Sequence, residues 1–150
     1  MPQLRECREA DFESVDPLLQ QLLPQSKLDT NQLRVTYLRG LSSPASRYFC
    51  AEIEGIIVGF CSLSVRECLW VQGLLGHVDE LVVDAACRGQ GIGTQLLEHA
   101  ERLARSLGCF RLQLDTAFHR TEAHRFYVKL GCEQRALHFS KPLRDGNTVR

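Results

Sequence analysis

The sequence lacks an excess of charge of either sign, since its 150 residues contain 18 Lys and Arg against 18 Asp and Glu. It also lacks any prominent run of basic residues. Proteins that bind nucleic acid through its phosphates carry clustered Lys and Arg. We therefore expect no nucleic-acid partner.

Long apolar stretches are missing too, and none approaches the roughly 20 residues that span a bilayer. The N-terminal stretch MPQLRECREADF is charged and holds no apolar segment of the kind found in signal peptides. We therefore expect no membrane partner and a cytoplasmic location.

The seven cysteines include no CxxC pair and show no regular spacing. An odd, scattered set argues against a disulfide framework and against a zinc site. We expect reduced thiols, most of them small core residues, and no bound metal.

What the sequence does contain fits one globular domain. Apolar residues make up 44% and charged residues 24% of the chain, and 150 residues suffice for a core. No repeat, low-complexity segment or linker interrupts it. The prediction is a single domain over residues 1–150.

Apolar residues recur at helical spacing in four segments. The clearest is IGTQLLEHAERLARSLG, where Gly108 is placed to cap the end. Pro24 ends an earlier helix, and Asp29 or Thr30 caps the next. The predicted helices cover residues 10–23, 28–41, 92–108 and 120–131.

Strand signals fill the intervals between these helices. Glu54-Gly55 marks the turn of a hairpin, and the alternation in FRLQLD puts Phe110, Leu112 and Leu114 on one face. The tail CEQRALHFSKPL predicts one or two closing strands. The resulting order is βααβββαβαβ(β), an α/β (α+β) fold with a mixed sheet covered by helices. The predicted strands lie within residues 3–8, 47–65, 76–84, 110–115 and 132–143.

The stretch RGQGIGT, residues 88–94, stands between a strand and the clearest helix. Glycines let the backbone close around an anion, and a helix N-terminus offers free N–H groups. Arg88 adds a positive charge, so the stretch predicts a phosphate site. A P-loop would need Lys after Gly93, but Thr94 and Gln95 follow it. The dinucleotide motif G-x-G-x-x-G is also excluded, because this stretch has one residue fewer before its third glycine.

Together with its surroundings, this stretch resembles the acetyl-CoA signature of the GCN5-related N-acetyltransferases (GNAT family), in which Arg88, Gly91 and Gly93 fill the fixed positions. Downstream, EAHRFYVKLGCEQ resembles the second signature of the family through Ala123, Phe126, Tyr127 and Gly131. The element order fits as well, so the resemblance covers almost the whole chain. Two positions depart from the family pattern: Arg120 replaces an Asn and Cys132 replaces a Phe.

The resemblance implies acetyl-CoA as cosubstrate. It implies that the backbone of Leu81, Val82 and Val83 pairs with the pantetheine arm at an unpaired strand edge. The other implied cofactor-binding residues surround the phosphates and the arm; they are Arg88, Gly89, Gln90, Gly91, Ile92, Gly93, Thr94, Arg120 and Phe126.

The two predicted catalytic residues are Tyr127 and Glu80. Tyr127 matches the tyrosine that faces the thioester sulfur in the family, and it is the candidate general acid. Glu80 is the candidate general base, acting through a water, because an acidic residue inside an apolar strand is costly unless it is paired or functional. Alternation places Glu80 opposite Asp79 and Leu81, and places His77 on the same face as Asp79. Weaker candidates for the base are His77 and Asp79. His119 and His124 are expected near the site but are not chosen as the base, and His124 is expected on the exposed side of its helix.

The acceptor is the least readable part. RYFCAEIEGIIVGFCSL and HFSKPL are similar to aminoalkylphosphonate N-acetyltransferases and related small-amine enzymes of the family. Arginines available for an anionic acceptor are Arg34, Arg39, Arg47 and Arg120. The resemblance predicts acetyl transfer to a primary amine of a small molecule; the alternatives are a protein or peptide N-acetyltransferase and a non-catalytic acyl-CoA-binding sensor. The sequence leaves open whether the chain forms a homodimer.

Overall fold

The structure, a computed structural model, describes residues 1–144 and contains a five-stranded sheet in the order β1-β2-β3-β4-β5. All neighbours are antiparallel except β4 and β5, which run parallel. The strands are β1 (Gln3–Glu6), β2 (Ser46–Ile53), β3 (Ile56–Cys68), β4 (Gly73–Val83) and β5 (Cys109–Leu114).

The helices are α1 (Phe12–Leu22), α2 (Thr30–Ser42), α3 (Ile92–Ser106) and α4 (Thr121–Lys129), and short 3-10 turns precede α1 and α3. Asp29 caps α2 by accepting a hydrogen bond from Gln32 N at 2.9 Å. Gly108 lies just beyond α3 with φ of 87°, the left-handed conformation that ends helices. The mixed α/β fold, the four helices and the hairpin around Glu54-Gly55 are therefore confirmed.

Two apolar cores lie on opposite faces of the sheet. On one face, Phe49 and Ala51 of β2 and Cys61 and Leu63 of β3 pack with α3. Even-numbered neighbours, such as Cys50 and Phe60, pack with α1 and α2 on the other. Because α3 carries a stripe of five buried residues, it fixes the loop before it against the sheet. The stripe comprises Ile92, Leu96, Leu97, Ala100 and Ala104.

The predicted closing strands are wrong. Residues 132–143 form neither helix nor strand, and residues 133–143 are exposed. A strand requires a partner edge, and this segment makes no sheet pairing. Phe110 also departs from expectation: Leu112 and Leu114 pack against the α3-side core, whereas Phe110 is 71% exposed at the start of β5.

Among the described residues, none of the helices combines the length and apolar character that crossing a membrane requires.

Candidate active site

A polar row crosses the middle of the sheet on the face covered by α1 and α2. Tyr48 of β2 pairs with Ser62 of β3, and Ser62 pairs with Glu80 of β4. Ser62 is the buried polar residue of this region, 1% exposed, and its hydroxyl donates to Glu80 Oε2. The Glu80 backbone N–H donates to Ser62 Oγ at 3.0 Å. The Ser62 hydroxyl therefore binds both the side-chain carboxyl and the backbone N–H of Glu80.

The Glu80 carboxyl is the most informative titratable group of the site. Burial raises its pKa above the ordinary value, the hydrogen bond from Ser62 opposes that rise, the charge of Asp79 adds to it, and His77 opposes it. A carboxylate with a raised pKa is a stronger proton acceptor than an exposed one.

β4 contains one extra residue beside this carboxylate. Glu80 pairs with Ser62 and Val78 pairs with Leu63, so Asp79 has no pairing partner on β3. Such a bulge bends a strand and turns side chains to new directions. As a result, Val78 lies in the α3-side core while Glu80 faces α1 and α2.

The same point marks the end of the β4–β5 pairing. The last parallel pair joins Val78 to Leu114, and residues 79–83 of β4 have no partner on β5. We call this divergence of the two strands the β4–β5 fork. Leu81, Val82 and Val83 therefore present a free backbone edge, as the predicted cofactor contact requires. The side chains of Leu81 and Val83 pack in the α3-side core and that of Val82 in the other.

The glycine stretch forms the start of α3. Gly89 and Gly91 have φ of 78° and 81°, and a Cβ at either would meet nothing within 4 Å. The hydrogen bond from Gln95 N to Gly91 O opens the helix, which leaves the amides before Gln95 without an intrahelical acceptor. Open backbone and free N–H groups at a helix N-terminus suit an anion.

The remaining residues around this loop divide by exposure. Gln90 is exposed and Thr94 half-buried, whereas the Ile92 side chain is 1% exposed in the core, so Ile92 offers a ligand only its backbone N–H. Arg88 Nε donates to Val83 O at 3.1 Å, which joins the loop to the end of β4. Gly93 leaves room for Phe126, whose ring would lie 3.4 Å from a Cβ there.

Tyr127 follows Phe126 on α4, and the two rings meet edge to face at 5.2 Å. Tyr127 packs on the α3-side core, while Glu80 faces the α1–α2 side. The two predicted catalytic residues thus lie on opposite faces of the sheet. Burial, followed by nearby Cys61, raises the pKa of Tyr127, and Arg120 opposes this rise. The phenol therefore keeps its proton at neutral pH.

Three other predicted residues are placed less centrally. Arg120 Nη2 donates to Leu22 O at 3.2 Å and so connects the start of α4 to the end of α1. His124 Nε2 lies 2.9 Å from Ala117 O, and its side chain is half-buried where an exposed one was expected. His119 is exposed.

A charged cluster at the fork contains more members than the sequence suggested. His77 Nδ1 lies 2.9 Å from Asp79 Oδ1, which brings together the pair that alternation placed on one face. His77 Nε2 also lies 3.1 Å from Asp115 Oδ2, and His138 Nδ1 lies 3.5 Å from the same oxygen. Asp115 and His138 were missed, as were Tyr48 and Ser62, because no local pattern links residues this distant in the chain.

Two cavities border the row. The smaller, about 60 Å³, is lined by Leu19, Leu33, Thr36, Tyr37, Tyr48, Phe60 and Glu80. The larger, about 360 Å³, shares Tyr48 and is otherwise lined by Glu6, Cys7, Leu41, Ser43, Ser46 and Arg47. Glu80 is thus the charged group of a small, largely apolar chamber.

One group in residues 1–144 has the composition of a metal site: Cys7, Asp11 and Cys50, whose candidate ligand atoms lie within 4.8 Å of one another. Arg5 binds both oxygens of Asp11, at 2.8 and 3.0 Å. The guanidinium charge beside the carboxylate opposes a cation, so this group serves as a buried ion pair.

Comparisons with known proteins identify the family and agree with the fold. The model of the acetyltransferase (GNAT) family matches residues 3–132. The chain is 37% identical over 141 residues to an aminoalkylphosphonate N-acetyltransferase of Salmonella typhimurium, covering 94% of this chain and 91% of the relative. It is 31% identical to a glucosamine 6-phosphate N-acetyltransferase of Trypanosoma brucei brucei over 86% and 87% of the two chains. A solved Trypanosoma brucei acetyltransferase superposes with a TM-score of 0.79 at 27% identity, covering 95% and 100%.

The environment of Glu80 predicts a stability effect. Since the pKa of this carboxyl is raised in the folded protein, the stability it contributes is fully present below its unfolded pKa, about 4.3, and is lost as pH rises through its folded pKa. Gln resembles the protonated form. Glu80→Gln should therefore be more stable than the parent at pH 7.5, and the difference should shrink toward pH 4, measured by urea unfolding.

The matched control is Glu98→Gln on the exposed face of α3, which should leave the urea midpoint unchanged at both pH values. A Glu80→Gln protein less stable than the parent at pH 7.5 would contradict the assigned cost of burying this charge.

Proposed function

The chain belongs to the GNAT family of acetyltransferases and is an N-acetyltransferase, and from that premise we propose that it transfers acetyl from acetyl-CoA to a primary amine of a small molecule. The observation that carries the proposal is the position of Glu80: a buried carboxylate facing a small cavity, one strand position from a free β4 edge. An amine at that carboxylate and a thioester along that edge would meet at the bulge.

The proposed reaction needs two proton transfers. An alkylammonium has a pKa of about 10, so it must lose a proton before its nitrogen attacks. Glu80 accepts that proton through a water, the nitrogen bonds to the thioester carbonyl carbon, and the C–S bond breaks. The departing thiolate takes the phenolic proton of Tyr127, and the phenolate regains a proton from the attacking nitrogen as that nitrogen becomes an amide. The raised pKa of Glu80 and the buried, protonated phenol suit these roles.

The proposed cosubstrate site combines the fork and the glycine stretch. The backbone of Leu81–Val83 would hydrogen-bond the pantetheine arm in place of the missing β5 partner. The N–H groups from Arg88 to Thr94 would receive the pyrophosphate at the positive end of the α3 dipole. Phe126 would cover the arm beside Gly93. Arg120, already bonded to Leu22 O, is the weakest of these assignments.

The proposed acceptor is a short amine that carries an acidic group. The chamber of about 60 Å³ beside Glu80 accommodates a short aminoalkyl group. The names of both curated relatives give acceptors that join an amine to a phosphonate or phosphate. Of the four candidate arginines, Arg47 lines the larger cavity that adjoins the chamber through Tyr48, whereas Arg34 is paired with Glu13.

The test is acetyl-CoA turnover, followed by thiol release, on a panel of an alkylamine, an aminoalkylphosphonate, glucosamine 6-phosphate and a peptide. Small acidic amines should react fastest, and Tyr127→Phe should lower kcat at least about 100-fold and remove the alkaline limb of the rate profile. Peptide preference would favour a protein N-acetyltransferase. Tight CoA binding with no turnover on any amine would favour the sensor alternative.

The control for Tyr127 is Tyr37→Phe, another buried tyrosine, whose hydroxyl donates to Arg8 O at 2.7 Å. It should lower stability but keep the alkaline limb. An unchanged pH profile in Tyr127→Phe would remove this residue from the proton transfer.

The phosphate site is tested by Gly91→Val. A β-branched residue at φ of 81° is strained and would place a side chain where the pyrophosphate is proposed to lie. We expect CoA affinity, measured by calorimetry, to fall at least about tenfold, or about 1.4 kcal/mol. Gly55→Val, at φ of 80° in the β2–β3 turn and likewise in open space, supplies the same strain elsewhere and should bind CoA normally. Equal affinities would misplace the site.

We also propose that the chain forms a homodimer through β5 and the tail. β5 is an edge strand without a second partner, and the tail of residues 132–143 is likewise unpaired. The tail exposes Leu137, Phe139 and Leu143 at 65%, 86% and 93%. Phe110 and Phe118 are also exposed apolar residues. An open strand edge and exposed apolar side chains are typical of an interaction surface. A second copy of the chain would supply both a strand edge and an apolar tail.

Light scattering should therefore report a dimer for the parent and a monomer for Phe139→Ser. Leu69→Ser, at an equally exposed position in the β3–β4 turn, should remain dimeric. A monomeric parent at micromolar concentration would contradict the proposed dimer.

A further inference from the structure

We propose that His77 is a positioning residue for acetyl transfer: its ring bridges Asp79 and Asp115 across the β4–β5 fork and supplies a fixed positive charge beside Glu80. The inference rests on the proposed role of Glu80 as base. It assigns to His77 no direct contact with either substrate.

The geometry of the ring determines its charge. Nδ1 lies 2.9 Å from Asp79 Oδ1 and Nε2 lies 3.1 Å from Asp115 Oδ2. A neutral imidazole has one N–H and could donate to one carboxylate only, which would leave a nitrogen lone pair facing the other. The imidazolium donates to both. Hydrogen bonding to Asp79, followed by its charge and the contact with Asp115, raises the pKa of His77 in spite of burial.

The two carboxylates belong to different strands at the point of separation. Asp79 is the bulge residue of β4, and Asp115 directly follows β5. The last β4–β5 pair joins Val78 to Leu114, and each aspartate directly follows one member of that pair. The imidazolium therefore joins β4 to the segment after β5 just where their backbone pairing stops.

The charged groups around this ring come from three segments. β4 provides Asp79 and Glu80, the segment after β5 provides Asp115, and the tail provides His138, which faces Asp115 at 3.5 Å. The residues that pair with His77 on β3 and β5, Ser64 and Gln113, are uncharged. His77 is thus the cation that balances two of the three carboxylates.

The consequence for Glu80 follows from its neighbours. Burial raises the pKa of Glu80, the hydrogen bond from Ser62 lowers it, the charge of Asp79 raises it and the charge of His77 lowers it. Tyr48 and Cys61 are the other titratable groups that feel its charge. With His77 protonated, Glu80 stays ionised and able to accept a proton; with His77 neutral, Glu80 would be protonated over a wider range of pH.

The test pairs NMR titration with kinetics in the full-length protein. The His77 ring, followed by ¹⁵N shifts, should titrate above the ordinary histidine range. In His77→Gln, the Glu80 carboxyl, followed by ¹³C shifts, and the acid limb of kcat should both move to higher pH by about one unit. Asp115→Asn, which leaves His77 one carboxylate, should move both in the same direction by less. KM for acetyl-CoA should change less than kcat below neutral pH.

The matched control is His124→Gln, whose ring contacts Ala117 O and no carboxylate. It should leave the Glu80 titration and the acid limb unchanged. An ordinary or lowered His77 titration overturns the proposal, and so does an unmoved Glu80 titration in His77→Gln. Because the NMR titrations need no turnover, they decide this inference even if the protein acetylates no amine; the proposed function would then fail separately.

Discussion

The proposed site depends on one extra residue in β4. Asp79 interrupts the pairing with β3, and the pairing with β5 ends one residue earlier, at Val78. A regular strand would continue its ladder on both sides and would leave no free backbone edge in the middle of the sheet. The bulge instead turns Glu80 toward α1 and α2 and leaves residues 79–83 open to a ligand that can pair like a strand.

A few contacts lower the free-energy cost of placing the Glu80 carboxylate inside the fold. A buried carboxylate is unfavourable unless hydrogen bonds compensate it, and Glu80 receives one from Ser62 while it donates its own backbone N–H back. The apolar packing of α3 holds the other half of the site, because Ile92 and Leu96 anchor the helix whose N-terminus carries the open amides. A helix anchored in the core therefore presents the proposed phosphate site, and the polar row of the sheet presents the proposed base.

Local patterns predicted most of the fold. The stripe of α3, the cap at Asp29 and the turn at Glu54-Gly55 all concern residues within a few positions of one another, and all are confirmed. The tail failed for the opposite reason: a local pattern describes what a strand would bury, but it does not say whether an edge is available to pair with it. Phe110 leaves the predicted face because β5 is irregular there: Leu74 pairs with Cys109 and Leu75 with Arg111, so Phe110 is skipped and Cys109 packs on the α3-side core.

For the candidate site, the sequence by itself determined the glycine stretch, the position of Tyr127 after Phe126, and the acidic Glu80 in an apolar strand, because each is encoded within one short segment. Only the tertiary structure decided that Ser62 supports Glu80 and that Asp115 meets His77 across 38 positions of chain. Register between strands, and a bulge that shifts it, depend on the whole sheet. Contacts between residues on different strands depend on this register and therefore cannot be seen in any local sequence pattern. In this protein, such contacts position the charged groups around Glu80, the proposed base.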